Sequence, residues 1–275
     1  MKFLSTRRRH PLAGLVVVLL GLVVTAGLYS AFRPAVAGET TKADAQLIAQ
    51  GRQLFTVGCS SCHGLNAEGI LTKGGGNYGP PLVGVGAAAV DFQVGTGRMP
   101  AQQPGTQMPQ KTVVYTDQEI EALAAYVASL GPGPSIPDAA ELDTSNASVS
   151  RGMQFFLTNC SACHNFAGQG GALRSGRYAP GLMNVSDKHI WEAMVTGPQQ
   201  MPVFSDEVLT PQDKRDVVAF VNSLQTQTAY GGNSLGSRGP VTEGLFGWLL
   251  GIGSLVLAAV WIANNGARAG KKKKA

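Results

Sequence analysis

The chain has no cysteine outside two short motifs, Cys59-Ser60-Ser61-Cys62-His63 and Cys160-Ser161-Ala162-Cys163-His164. A disulfide framework is unsuited to that pattern, because a Cys-x-x-Cys bridge would brace only a tiny loop. A four-cysteine zinc site would need both pairs to converge on one metal, and it would leave the two following histidines unexplained. The centre of the chain also lacks an excess of positive charge: residues 38–242 hold 12 Lys and Arg against 16 Asp and Glu. The formal net charge of +5 therefore sits at the ends, in Lys2, Arg7, Arg8, Arg9 and Arg33 and in Arg268, Lys271, Lys272, Lys273 and Lys274. That distribution gives nucleic-acid binding no support.

Charge is missing altogether from residues 12–32, and residues 245–263 form a second apolar run with Trp248 and Trp261 near its two ends. At about 1.5 Å per helical residue each run approaches the roughly 30 Å hydrocarbon thickness of a bilayer. Interfacial aromatics favour the second as a span, and the positive-inside rule puts both basic ends on the cytoplasmic side. The intervening 200-odd residues then lie outside the membrane. Ala35-Val36-Ala37 resembles a signal-peptide cleavage triplet, so residues 1–37 read either as a basic flank with a retained anchor or as a cleaved signal.

What the cysteines do follows from their spacing. Two thiols one helical turn apart can each add to a vinyl group of one haem, and the adjacent histidine then lies under the iron. Two such motifs imply two covalently bound haem c groups, on Cys59, Cys62 and His63 and on Cys160, Cys163 and His164.

The surroundings of the motifs are duplicated as well. Gly51, Gln53, Leu54 and Phe55 precede the first as Gly152, Gln154, Phe155 and Phe156 precede the second; Tyr78, Pro80 and Leu82 follow as Tyr178, Pro180 and Leu182 do. Each copy closes with an amphipathic helix, expected over 116–130 and 210–224, bearing Tyr126 and Phe220 at matching places. The Pro- and Gly-rich stretch 132–147 reads as a linker, as does 228–243. The expected order is residues 42–131, linker, residues 148–227, linker, a membrane helix over 244–264 and a basic cytoplasmic tail over 265–275.

These copies resemble class I cytochrome c domains, and the resemblance covers nearly all of residues 42–227. It implies an all-α fold of two tandem domains with N- and C-terminal transmembrane helices. In that family a glycine of the first helix lets an aromatic of the last pack against its backbone, which pairs Gly51 with Tyr126 and Gly152 with Phe220. A proline carbonyl, here of Pro80 or Pro180, accepts the second N–H of the haem histidine and fixes its ring. A methionine supplies the sixth iron ligand and raises the potential. In the second copy this is Met201, before Pro202 and 37 residues after His164. The first copy offers Met99-Pro100 and Met108-Pro109. Counting back from the last helix favours Met108. Counting forward from His63 favours Met99, and Thr96-Gly97 before it matches Thr196-Gly197 before Met201, so Met99 is preferred and residues 101–111 become an insertion. Met183 and Met194 read as core, His10 as part of the basic flank and His189 as an ordinary helical histidine.

With His and Met on both irons no position stays open for substrate, and no residue reads as catalytic. The chain resembles the di-haem cytochrome c subunit of the actinobacterial cytochrome bcc complex, the menaquinol:cytochrome c reductase. The resemblance implies partnership with cytochrome b and Rieske iron–sulfur subunits in a cell-membrane translocase. It also implies relay of electrons to the copper centre of a terminal haem-copper oxidase. Two alternatives stand beside it: an anchored electron-transfer subunit of a periplasmic dehydrogenase, and a di-haem peroxidase.

Overall fold

The computed structural model describes residues 13–31, 42–105, 107–226, 235–237 and 240–272. The basic flank with His10, the triplet 35–37 and most of the second linker lie outside them. The chain divides into two units, residues 1–46 and 47–275. The first contains helix α1 (Ala13–Ala31), whose described apolar stretch is Gly14–Leu28. At the other end α10 (Pro240–Phe246), a π-helical turn (Gly247–Ile252) and α11 (Gly253–Lys272) run on, and Val241–Gly266 is long and apolar enough to cross a bilayer. Among the described residues it is the one helix that meets that test.

Between these ends the same fold is built twice. Helix α2 (Lys42–Gly58) leads into the one-turn α3 (Ser60–His63), then come β1 (Ile70–Leu71), β2 (Asn77–Gly79), α4 (Gly86–Gly95) and α5 (Asp117–Ser129). The second copy runs α6 (Val149–Asn159), α7 (Ser161–His164), β3 (Gly171–Ala172), β4 (Tyr178–Ala179), α8 (Asp187–Thr196) and α9 (Pro211–Thr226). Strands β1 with β2, and β3 with β4, pair antiparallel. These miniature hairpins are too short to leave a period-2 pattern.

A close helix crossing organises each copy. A Cβ on Gly51 would run into the Ala122 carbonyl and come within 2.8 Å of the Tyr126 Cβ; one on Gly152 would run into the Asp216 carbonyl and come within 3.1 Å of the Phe220 Cβ. Absence of a side chain thus lets the first helix rest on the backbone of the last. Phe55 then meets Tyr126 at 5.2 Å between ring centroids, and Phe156 meets Phe220 at the same 5.2 Å. Tilted aromatic pairs of this kind add to the area they bury. Around them close two apolar cores, one of Phe55, Ile120, Leu123 and Val127, the other of Phe156, Ile190, Leu209, Val217 and Val221.

The last helices begin at the threonines that open the expected amphipathic stretches. Thr116 and Glu119 form a reciprocal capping box on α5, and Thr210 and Asp213 exchange equivalent bonds at the start of α9. The Pro-rich stretch after α5 does not leave the first copy at once: Ala88 donates to the Pro134 carbonyl at 3.1 Å, and Ile136 packs on the first core.

Candidate functional site

Each Cys-x-x-Cys-His motif sits on a single helical turn that continues the preceding helix after a break. His63 donates back to the Cys59 carbonyl through its backbone N–H at 3.0 Å, and His164 to the Cys160 carbonyl at 2.9 Å. The two thiols of each pair therefore lie one turn apart with the histidine beside them. Burial, and then the neighbouring cysteine, pushes the Cys59 and Cys160 thiols up to about 11, so both are neutral at physiological pH. No disulfide joins any of the four cysteines.

The chain then wraps under the histidines. The Gly69 N–H donates to the His63 carbonyl at 2.7 Å, and the Gly170 N–H to that of His164 at 2.9 Å. This turn delivers a carbonyl to each imidazole: His63 Nδ1 lies 2.8 Å from the Pro80 oxygen and His164 Nδ1 lies 2.9 Å from the Pro180 oxygen. A carbonyl can only accept, so Nδ1 carries the proton and Nε2 keeps its lone pair for a metal. Burial lowers the His164 imidazole against the raising effect of that bond, which also favours the neutral ligand form.

Met99 packs on the core cluster of the first copy and Met201 on that of the second. Met99 is held by its N–H to the Gln93 carbonyl at 2.9 Å, and Met201 by its N–H to the Pro198 carbonyl at 3.1 Å. The Met108 backbone is tied to the second copy: its N–H and carbonyl pair with the side-chain amide of Gln199, both at 3.1 Å. Gln107 does the same with the backbone of Tyr178, at 2.7 and 2.8 Å. The insertion 101–111 thus reaches across to the second copy. Met194 is core and 2% exposed, and Met183 is partly buried.

Thioether-forming thiols one turn apart, an imidazole with a free Nε2 and a methionine thioether packed on the same core fit an iron porphyrin in both copies. They do not fit a tetrahedral zinc site shared between the pairs, because each pair is committed to its own core.

Sequence reasoning missed the contact between α4 and α8. It brings Asp91 together with Lys188, His189 and Glu192. Burial alone would raise the Asp91 carboxyl, but His189, Lys188 and Glu192 around it hold it at about 2. Burial, then Asp91, pushes Glu192 up to about 9. An acidic residue in the apolar run of α4 was the available signal, and nothing local says what it faces.

Fold and site together define a tandem c-type cytochrome. The family described as "Cytochrome c" matches residues 48–131, and "Cytochrome C oxidase, cbb3-type, subunit III" matches residues 147–221. Relatives over nearly the whole length are more specific. A "Cytochrome bc1 complex cytochrome c subunit" of Corynebacterium efficiens is 44% identical over 272 residues, 94% of this chain and 90% of the relative. Proteins of the same description from Corynebacterium diphtheriae and Mycobacterium bovis are 41% identical, over 94% and 93% of this chain and 95% and 92% of theirs. The chain belongs to the family of bc1 complex cytochrome c subunits. Its two cytochrome c domains imply covalently bound haem c.

Proposed function

We propose that the chain is the membrane-anchored di-haem electron-transfer subunit of a respiratory quinol:cytochrome c reductase. It takes electrons from a Rieske iron–sulfur protein and passes them to the copper centre of a terminal haem-copper oxidase. Its other partner is a cytochrome b subunit. Both cytochrome domains face the outer side, held by the helix over 241–266 and by the N-terminal segment where that is retained. The observation that carries the reading is the twofold occurrence of one arrangement: a Cys-x-x-Cys-His turn, a proline carbonyl 2.8 or 2.9 Å from the histidine Nδ1, and a methionine packed on the same core as the motif's first cysteine.

Haem bound at each motif supplies one-electron chemistry at iron, which the side chains alone lack. Cys59 and Cys62, with Cys160 and Cys163, tether the two groups; His63 and His164 are the proximal ligands. Pro80 and Pro180 orient the imidazoles and make them more basic donors. Met99 and Met201 would supply the second protein ligand to each iron, which would favour the reduced state and exclude small molecules from it. That last effect separates a relay from a peroxidase.

The methionine assignment is the sharpest test. Met99→Ala in the full-length chain lowers the midpoint potential of one haem and removes about half of the weak near-infrared sulfur-to-iron band, and Met108→Ala leaves both unchanged. The opposite result would transfer the ligand to Met108. Copurification through the C-terminal tail tests the partners: recovery of cytochrome b and a Rieske protein supports the reading, and recovery of a soluble dehydrogenase alone ends it.

A further inference from the structure

Helix contacts between protein modules are ordinarily apolar or flanked by solvated ions, yet the α4–α8 contact encloses an unanswered polar cluster. His189 Nε2 lies 3.7 Å from Asp91 Oδ2 and 4.0 Å from Glu192 Oε2. One donor atom from each of the three residues falls within 4.8 Å of the other two. Glu192 is fully buried and Asp91 is 6% exposed. Neither Glu192 oxygen has a hydrogen-bond partner, nor has His189 Nε2 or Asp91 Oδ2. Lys188 Nζ stands 2.8 Å from Asp91 Oδ2, close enough to pair in charge but not aligned as a donor. Buried polar atoms left this way are costly; burial beside Asp91 keeps Glu192 protonated, at about 9, until a cation takes the place of that proton, and the unpartnered atoms converge on a point where such a positive centre is favourable.

We propose that Asp91, His189 and Glu192 form a binding site for one divalent transition-metal ion of the zinc class, which pins the first cytochrome domain to the second. His189 and Glu192 stand three residues apart on α8 and so share a face. Asp91 comes from α4 of the other domain, so the ion cross-links them. Ligands at 2.0–2.2 Å around a tetrahedral ion are separated by about 3.3–3.6 Å, and closing 3.7 and 4.0 Å to that range needs only small side-chain adjustment. Two carboxylates and a neutral imidazole balance a dication. An imidazole in the set disfavours calcium and magnesium, and the lack of sulfur disfavours copper(I). Space is available, since Gly95 presents no side chain where a Cβ would stand 3.2 Å from His189 Nε2. Phe92 packs edge to face against the imidazole at 6.0 Å and steadies its ring. Lys188 is the group the ion displaces. Its side chain is 40% exposed, and the Asp117 carboxylate also favours its charged form.

The test uses the full-length haem-loaded chain in detergent, stripped with a chelator and then titrated with zinc ion alone under equilibrium dialysis. Zinc and iron are counted in the same sample. One tightly bound zinc per chain is expected with haem iron unchanged, and zinc-edge X-ray absorption should show nitrogen and oxygen neighbours at about 2.0–2.2 Å with imidazole scattering and no sulfur. His189→Gln and Glu192→Gln should each weaken binding by at least about 100-fold while the haem spectra stay the same. Zinc uptake equal in the parent and in the double variant would overturn the proposal. If the variants fail to assemble, the absorption edge of the parent chain decides: a sulfur shell, which would mean zinc in the cysteine motifs, or a shell without imidazole overturns it as well.

Discussion

The two cytochrome domains share one backbone plan and solve its tightest point with different chemistry. Where α2 crosses α5 the glycine rests on the carbonyl of Ala122; where α6 crosses α9 the matching carbonyl belongs to Asp216. The first crossing is apolar. At the second, the fully buried Asp216 carboxylate pairs with Arg151, accepts the Ser148 N–H at 2.8 Å and takes a bond from Gln212 at 3.1 Å. The comparison teaches that the fold requires the close approach and leaves the supporting interaction open. Removing the approach should therefore be the worst injury in either domain. Gly51→Ala and Gly152→Ala each force a methyl group into a carbonyl oxygen, and each should cost at least about 3 kcal/mol, the range of severe overpacking or worse. Covalent haem counted per chain should fall from two towards one in both variants, and equal retention of two would show that the helices can part cheaply.

Asp216→Ala separates the two solutions. It leaves the Ser148 N–H and the Arg151 guanidinium without their acceptor, which should cost about 2–3 kcal/mol; the loss stays below that of a fully buried pair because Arg151 is half-exposed. Ala122 has no such partner to lose. Urea unfolding followed at each haem should thus shift in the second domain only, and a matching shift in the first would mean that the domains unfold as one unit.

The loops before the last helices differ as much as the crossings. The offset between copies falls from 102 residues at Met99 and Met201 to 94 at Tyr126 and Phe220, so the first domain carries eight additional residues there. They reach the second domain at Tyr178 and Gln199, close to its proline and its methionine. Gln107→Ala removes both bonds to Tyr178 and should weaken the contact between domains by about 1 kcal/mol. Limited proteolysis within 101–111 should quicken, and an unchanged cleavage rate would show that the contact is incidental.

That insertion marks the boundary of what the sequence could tell. Histidine with proline carbonyl and glycine with aromatic were legible, because each pair is held at a fixed spacing by one turn or one repeated helix crossing. The choice of Met99 over Met108 rested on a matched Thr-Gly pair and on the count forward from His63. Asp91 against His189 and Glu192 was not legible. Nothing in a residue's neighbours along the chain says which helix of another domain will face it. The stretch 132–147 was misleading in part for a related reason: its prolines forbid a helix, but they do not forbid packing, and residues 131–136 stay on the first domain.

The smallest difference lies at the starts of the last helices. On α5 the Thr116 N–H donates to Glu119 at 2.8 Å while the Thr116 hydroxyl accepts from the Glu119 N–H at 3.4 Å; on α9 Thr210 and Asp213 make the same exchange at 3.0 and 3.3 Å, with Pro211 already shaped for the first helical position. Thr116→Ala and Thr210→Ala should each cost about 1 kcal/mol. Acid should tell the caps apart in another way. The backbone N–H of Thr116, and then its side chain, hold the Glu119 carboxyl below the usual glutamate range. A carboxyl lowered on folding stabilises above that range and loses its effect as pH falls through it, since the folded state must then take up a proton it binds weakly. Hydrogen exchange at the first-turn amides of α5 should therefore speed up, relative to the intrinsic rate, as pH falls through the glutamate range. In Glu119→Gln, whose amide oxygen can still accept from Thr116, that acceleration should vanish, and its persistence would place the acid sensitivity outside the cap.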